Sequence, residues 1–193
     1  IRNIFPSGWH GYLTYLIYLT GLKPSVNKAV KSPFNKGIVV LSADFEMAWA
    51  FLYSKKRGKM AEEMGLHERK NVPLLLSLFD KYNIPVTWAT VGHLFLNSCI
   101  KGSNSKAHSQ MPRPQYFENR NWLFTKGDWY DADPCSDYIT SPAWYAPDLI
   151  EMIIQSKVKH EIGCHTFSHI DCTDINCTPE LLTAELKACI EVA

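Results

Sequence analysis

Short apolar segments that alternate with helical patterns are the feature that most constrains the fold of this chain. Three of them, residues 37–44, 85–91 and 160–165, have the pattern of buried strands. Residues 69–82, 146–155 and 179–193 carry apolar side chains at helical spacing. Strands and helices that alternate in this way predict an α/β fold with a parallel sheet. In such folds the chemistry lies at the carboxyl ends of the strands.

Two carboxylates stand at the end of the first predicted strand. Side chains alternate along a strand, so Asp44 and Glu46 are expected to point the same way. A carboxylate is expensive to bury unless it is paired or bound to a metal ion. These two are therefore candidates for a metal site, although they could instead cap the next helix or pair with Lys55, Lys56 or Arg57.

Two histidines stand at the end of the third predicted strand. His165 closes the strand and His169 follows four residues later. If the chain turns helical there, the two side chains lie on one face, and two neutral imidazoles so held bind a divalent transition metal. Alternatively, they lie in polar surface turns. Ligands at two strand ends together favour the metal site over this alternative.

These strand ends, in this order, resemble the polysaccharide deacetylase family. The resemblance rests on Asp44 and Glu46, on IPVTWATVGHLF at residues 84–95 and on HEIGCHTFSH at residues 160–169, and it covers about residues 37–97 and 144–193. It implies an α/β fold of the irregular (β/α) barrel type, of which this chain supplies the N-terminal half. It also implies a metal-dependent hydrolase that removes acetyl groups from an N- or O-acetylated oligo- or polysaccharide.

The resemblance also implies roles for the residues of the site. Asp44 would be the catalytic base, and Glu46, His165 and His169 would hold a divalent metal ion, with zinc expected. The commoner family pattern has adjacent aspartates, and Phe45 stands where the second would be, so the roles of Asp44 and Glu46 are exchangeable. Later family motifs, including the general acid, would follow the end of the given chain.

An aromatic-rich insertion at about residues 101–142 separates the two parts of the resemblance. Aromatic rings suit stacking on sugars, so Trp129 and Tyr130 are predicted to contact substrate from a lid, and His93, after the second strand, is a further substrate-binding candidate. The alternative is that these rings simply pack the insertion onto the domain. Residues 1–36 are expected to form an N-terminal extension or helix, and residues 37–193 a deacetylase-like catalytic domain that is incomplete at its C-terminus.

Composition and charge exclude several classes of function. The formal net charge of +1 provides no basic surface for nucleic acid. The apolar run at residues 12–22 is too short to span a bilayer and is expected to be an amphipathic helix or an interfacial anchor. No signal peptide is visible, which favours a cytoplasmic location and reduced thiols for the six cysteines. Nothing in the sequence indicates the oligomeric state.

Two other functions fit the same pattern. One is a related barrel amidohydrolase that acts on C–N bonds of small cyclic amides, for which a short pocket would replace the aromatic groove. The other is a non-catalytic carbohydrate-binding derivative, with Phe45 marking decay of the active site.

Overall fold

A computed structural model describes residues 35–52, 59–114, 127–172 and 177–193. The chain divides into two compact units, Ile1–Val39 and Val40–Ala193. This boundary lies close to the one predicted after residue 36. Nearly all of the first unit, with the helix predicted at residues 12–22, lies outside the described residues.

The second unit is built on a small parallel sheet. Its strands are β1 (Ser42–Phe45), β2 (Thr87–Thr90) and β3 (Glu161–Cys164), in the order β1-β2-β3. Phe45 is opposite Thr90, and Thr90 is opposite Cys164, so the carboxyl ends of the strands are level. The chain is thus a mixed α/β fold with a parallel sheet, and the barrel implied by the resemblance stays a prediction.

The first strand is shorter than the apolar run that predicted it. Pairing with β2 begins at Leu41, whose carbonyl accepts a hydrogen bond from the N–H of Thr87 at 3.1 Å. Val40, just before this point, is 79% exposed. The apolar composition of residues 37–40 therefore does not make them a strand, because a strand is defined by a paired neighbour and not by its side chains alone.

Three helices lie in the described part of the chain: α1 (Lys59–Tyr82), α2 (Pro147–Ile154) and α3 (Pro179–Val192). Two short 3-10 helices, Met47–Phe51 and Gly92–Phe95, follow β1 and β2. The two later helices begin within one residue of the starts predicted for them. Pro147 opens α2 with Asp148 in its first turn, and the side chain of Thr178 caps α3 by accepting the N–H of Leu181 at 3.2 Å.

Helix α1 begins ten residues earlier than the predicted start at residue 69. Pro73 therefore lies inside the helix and not in its first turn, where a proline is best tolerated. Tertiary contacts hold the segment before it. Arg69 donates to the carbonyls of Pro142 and Tyr145 at 2.9 and 2.7 Å, and a Cβ on Gly65 would meet the backbone of Ala143 at 3.0 Å. Such packing overrides the local penalty of a proline.

The core joins the sheet to the insertion. Phe45 and Trp88 pack edge to face at 6.0 Å between ring centroids, and Trp49 packs on Tyr130 of the insertion in the same way at 6.3 Å. The described part of the insertion is therefore folded onto the domain. No helix among the described residues combines the length and apolar character needed to cross a membrane.

Candidate metal centre

The level strand ends bring Glu46, His165 and His169 together. Nε2 of His165 lies 2.8 Å from Oε1 of Glu46, and Nε2 of His169 lies 3.2 Å from the same oxygen. The two imidazole rings are 5.2 Å apart between centroids. The three side chains predicted to hold a metal ion therefore converge on one point, although Glu46 and His165 are far apart in sequence.

An irregular loop, and not a helical turn, places the two histidines. Thr166 and His169 both have a φ of 60°, in the left-handed region that few non-glycine residues adopt. The loop is held by an extension of the parallel hydrogen bonding between β2 and β3. The N–H groups of Gly92 and His93 donate to the carbonyls of Thr166 and Phe167 at 2.8 and 2.9 Å. Strain of this kind persists where the surrounding structure enforces it, often at functional sites.

Glu68 of α1 holds the other side of the centre. Its Oε2 accepts the N–H of Met47 at 2.8 Å, and Met47 also has a left-handed backbone, with a φ of 50°. This contact fixes the turn directly after Glu46. Burial raises the pKa of Glu68 to about 7, and the charge of Glu46 adds to this rise.

A second buried carboxylate, Glu185 of α3, supports the histidine loop. It is fully buried and accepts the N–H and the hydroxyl of Ser168, each at 2.7 Å. It also accepts the hydroxyl of Tyr130 at 3.1 Å. Ser168 directly precedes His169, so this network connects the position of the second histidine to α3 and to the insertion.

The electrostatics of the centre favour an ionised carboxylate. Burial alone would raise the pKa of Glu46, but hydrogen bonds and charges from His165 and His169 outweigh it and lower the pKa to about 2. The hydrogen bond to Glu46 raises the pKa of His165, and the charge of Asp44 contributes. Asp44 itself is exposed at the end of β1, so both predicted carboxylates act on the same histidine.

The donor set fits a catalytic transition-metal site. The ligand atoms of Glu46, His165 and His169 lie within 4.8 Å of one another, and at bond lengths of about 2.0–2.2 Å the ligands of a tetrahedral ion lie about 3.4 Å apart. The histidines also line a cavity of about 450 Å³. Three protein ligands beside an open space leave positions for water and substrate, as in catalytic zinc sites.

The three predicted substrate-binding residues lie elsewhere. His93, Trp129 and Tyr130 are 0%, 2% and 2% exposed, respectively. The indole N–H of Trp129 donates to the hydroxyl of Ser168 at 3.0 Å. Rings with so little exposed surface cannot stack on a sugar as the chain is folded. These aromatics pack the insertion onto the domain, as the alternative interpretation proposed. Burial of their large apolar faces in the core stabilises the fold more than exposure to solvent would.

Sequence reasoning missed the two supporting carboxylates, Glu68 and Glu185. A signal for Glu185 was present, because Leu181, Glu185 and Cys189 are spaced four residues apart and form the buried stripe of α3. An acid in an apolar stripe indicates a buried polar contact. No comparable signal marks Glu68, whose partner is a backbone N–H far away in sequence.

Comparisons of the chain with protein-family models, with curated proteins and with solved structures gave no match. The deacetylase resemblance therefore rests on the residues of this chain alone.

Proposed function

We propose that this protein is a metal-dependent hydrolase that removes acetyl groups from an N- or O-acetylated oligo- or polysaccharide. The observation that supports it is the convergence of Glu46, His165 and His169 on one point beside an open cavity. The type of reaction follows from this donor set and from Asp44 next to it. The glycan substrate follows from the family resemblance.

Each residue of the centre has a separate role in this proposal. A zinc ion held by Glu46, His165 and His169 would supply Lewis acidity towards water and the acetyl carbonyl. Asp44, exposed at the end of β1 and within electrostatic range of His165, accepts the proton of the attacking water. Glu46 rather than Asp44 is assigned to the metal because its carboxylate oxygen contacts both imidazoles.

Acetate release tests the proposal directly. The zinc-loaded full-length protein should release acetate from N-acetylglucosamine oligomers or from acetylated exopolysaccharide, and chelation should abolish the release. Asp44→Asn should lose turnover and keep its metal, since it removes the base without touching the ligands. Glu161→Gln is the matched control, because Glu161 is an exposed carboxylate at the opposite end of the same sheet and should be dispensable.

Three results would contradict this proposal, and a fourth would exchange two of its residue roles. Full turnover in Asp44→Asn would remove the base from the mechanism. Loss of the metal in Asp44→Asn, with retention in Glu46→Gln, would exchange the two roles. Metal-loaded protein that binds acetylated glycans without releasing acetate would indicate the carbohydrate-binding alternative. Metal-loaded protein that hydrolyses small cyclic amides and not acetylated glycans would indicate the amidohydrolase.

A further inference from the structure

Four other potential metal ligands meet in the core, on the insertion side of the domain. They are His93 of the second 3-10 helix, Cys99, His108 and Asp133, and their ligand atoms all lie within 4.8 Å of one another. Oδ2 of Asp133 is 3.0 Å from Nε2 of His93, 2.9 Å from Nε2 of His108 and 3.3 Å from Sγ of Cys99. The two Nε2 atoms are 3.1 Å apart.

An arrangement held by protons alone places either two lone pairs or two N–H groups close together. Nδ1 of His93 lies 3.2 Å from the carbonyl oxygen of Trp144, which can only accept a hydrogen bond. Neutral His93 therefore carries its proton on Nδ1 and presents the lone pair of Nε2 to the carboxylate of Asp133. If both His93 and His108 instead carried a proton on Nε2, each would donate to Oδ2 of Asp133, but the two nitrogens would be only 3.1 Å apart and His93 would be charged inside the core. A metal cation at the meeting point would bind both lone pairs and the carboxylate and would leave the two histidines neutral.

Neighbouring groups orient the ligands as they do around bound metals. The other oxygen of Asp133, Oδ1, accepts the hydroxyl of Tyr145 at 2.8 Å and the N–H of Cys135 at 2.9 Å. Oδ2 is thereby left to face the other three side chains. A histidine that donates its second N–H to a carbonyl, and a carboxylate whose second oxygen is hydrogen-bonded, are regular features of metal sites.

We propose that His93, Cys99, His108 and Asp133 bind a structural zinc ion, separate from the ion at Glu46, His165 and His169. Thiolate, imidazole and carboxylate are all zinc ligands, and four protein ligands close a tetrahedral shell. At tetrahedral separations of about 3.3–3.6 Å, the other three ligand atoms would move away from Oδ2 of Asp133 by only a few tenths of an ångström. The burial of the site contrasts with the open first centre.

An ion at this position would help to hold the folded insertion against the sheet. Cys99, His108 and Asp133 lie in loops with little regular structure, whereas His93 follows β2 and donates its N–H to the carbonyl of Phe167 in the histidine loop. One ion would therefore connect the insertion to the sheet. A cavity of about 480 Å³ borders Cys99 and His108 and provides a route for the ion to enter.

Metal stoichiometry and spectroscopy test this site independently of the first centre. The purified, reduced protein should hold two zinc ions per chain. His169→Ala should lose the first and Cys99→Ser the second. With cobalt in place of zinc, a thiolate-to-cobalt charge-transfer band should appear in the wild type and in His169→Ala and vanish in Cys99→Ser. Cys164→Ser should keep the band, since this thiol on β3 belongs to neither site.

A measurement on an intact cluster covers the case in which Cys99→Ser fails to fold. The zinc that remains in His169→Ala should show one sulfur ligand at about 2.3 Å and nitrogen or oxygen ligands at about 2.0–2.2 Å by X-ray absorption. Zinc without a sulfur ligand in this variant would refute the site. A thiolate-to-cobalt charge-transfer band that survives in folded Cys99→Ser would also refute it. If the wild type holds a single zinc ion with a sulfur ligand, this site is supported and the first centre is refuted. If its single zinc ion has no sulfur ligand, the first centre is supported and this site is refuted.

Discussion

Removal of the buried carboxylate of Glu185 is expected to destabilise the domain and the histidine loop together. Glu185→Ala leaves three donors without their acceptor: the N–H and the hydroxyl of Ser168 and the hydroxyl of Tyr130. At about 1–3 kcal/mol for each buried donor left unsatisfied, the free energy of unfolding should fall by about 3 kcal/mol or more. This is a large part of the stability of an ordinary domain, which is about 5–15 kcal/mol.

Glu185→Gln separates hydrogen bonding from charge. The amide oxygen can accept the N–H of Ser168, and the amide NH₂ can donate to the two hydroxyls, which accept as well as donate. Stability should therefore stay within about 1 kcal/mol of the wild type. Glu191→Ala is the control on the same helix, because Glu191 is exposed and its loss should change stability by less than about 0.5 kcal/mol.

The two variants also differ in their dependence on pH. Burial raises the pKa of Glu185 above its ordinary value of 4.5, so the folded protein keeps a proton that the unfolded chain releases. Stability should therefore decrease as the pH rises from 4.5 through the folded-state pKa, and Glu185→Gln should lose this part of the slope. Urea unfolding at several pH values measures both effects. Equal stability of Glu185→Ala and wild type, or equal damage from Ala and Gln, would refute the network.

Further variants test the surroundings of the first centre. Phe45→Ala removes a fully buried ring and should lower the free energy of unfolding, measured with urea, by about 3–5 kcal/mol while metal affinity stays close to that of the wild type. Glu46→Gln should weaken metal affinity, measured by titration, and leave the free energy of unfolding close to that of the wild type. The wild type should lose stability as the pH rises from 4.5 to about 7, because the folded state holds the proton of Glu68 across that range and the unfolded chain releases it. Glu68→Gln should abolish this loss, and an unchanged dependence of stability on pH would contradict the assignment. Gly92→Ala should lower the melting temperature, since the added Cβ would lie 2.8 Å from Sγ of Cys189.

The local patterns of the sequence predicted the elements well where local physics decides them. The three strands overlap the predicted segments, and α2 and α3 begin within one residue of their predicted starts, where Pro147 and Thr178 stand. Burial of an apolar stripe and capping of a helix end depend on neighbours within a few residues. The longer start of α1 was missed because the contacts of Arg69 that hold it come from residues much later in the chain.

The sequence by itself determined which residues could form the first centre, because Glu46 and His165 each directly follow a strand and parallel strands end at one edge of a sheet. Only the tertiary structure decided how they meet. The left-handed turns at Thr166 and His169 depend on hydrogen bonds from Gly92 and His93, which follow β2, and on Glu185.

The second cluster was invisible in the sequence for the same reason. His93, Cys99, His108 and Asp133 follow no regular spacing, and folding of the insertion brings them within 4.8 Å of one another. A ligand set with short, regular spacing is encoded in local geometry and can be found in a sequence. A ligand set assembled from separate loops is encoded in packing, which the order of residues does not display.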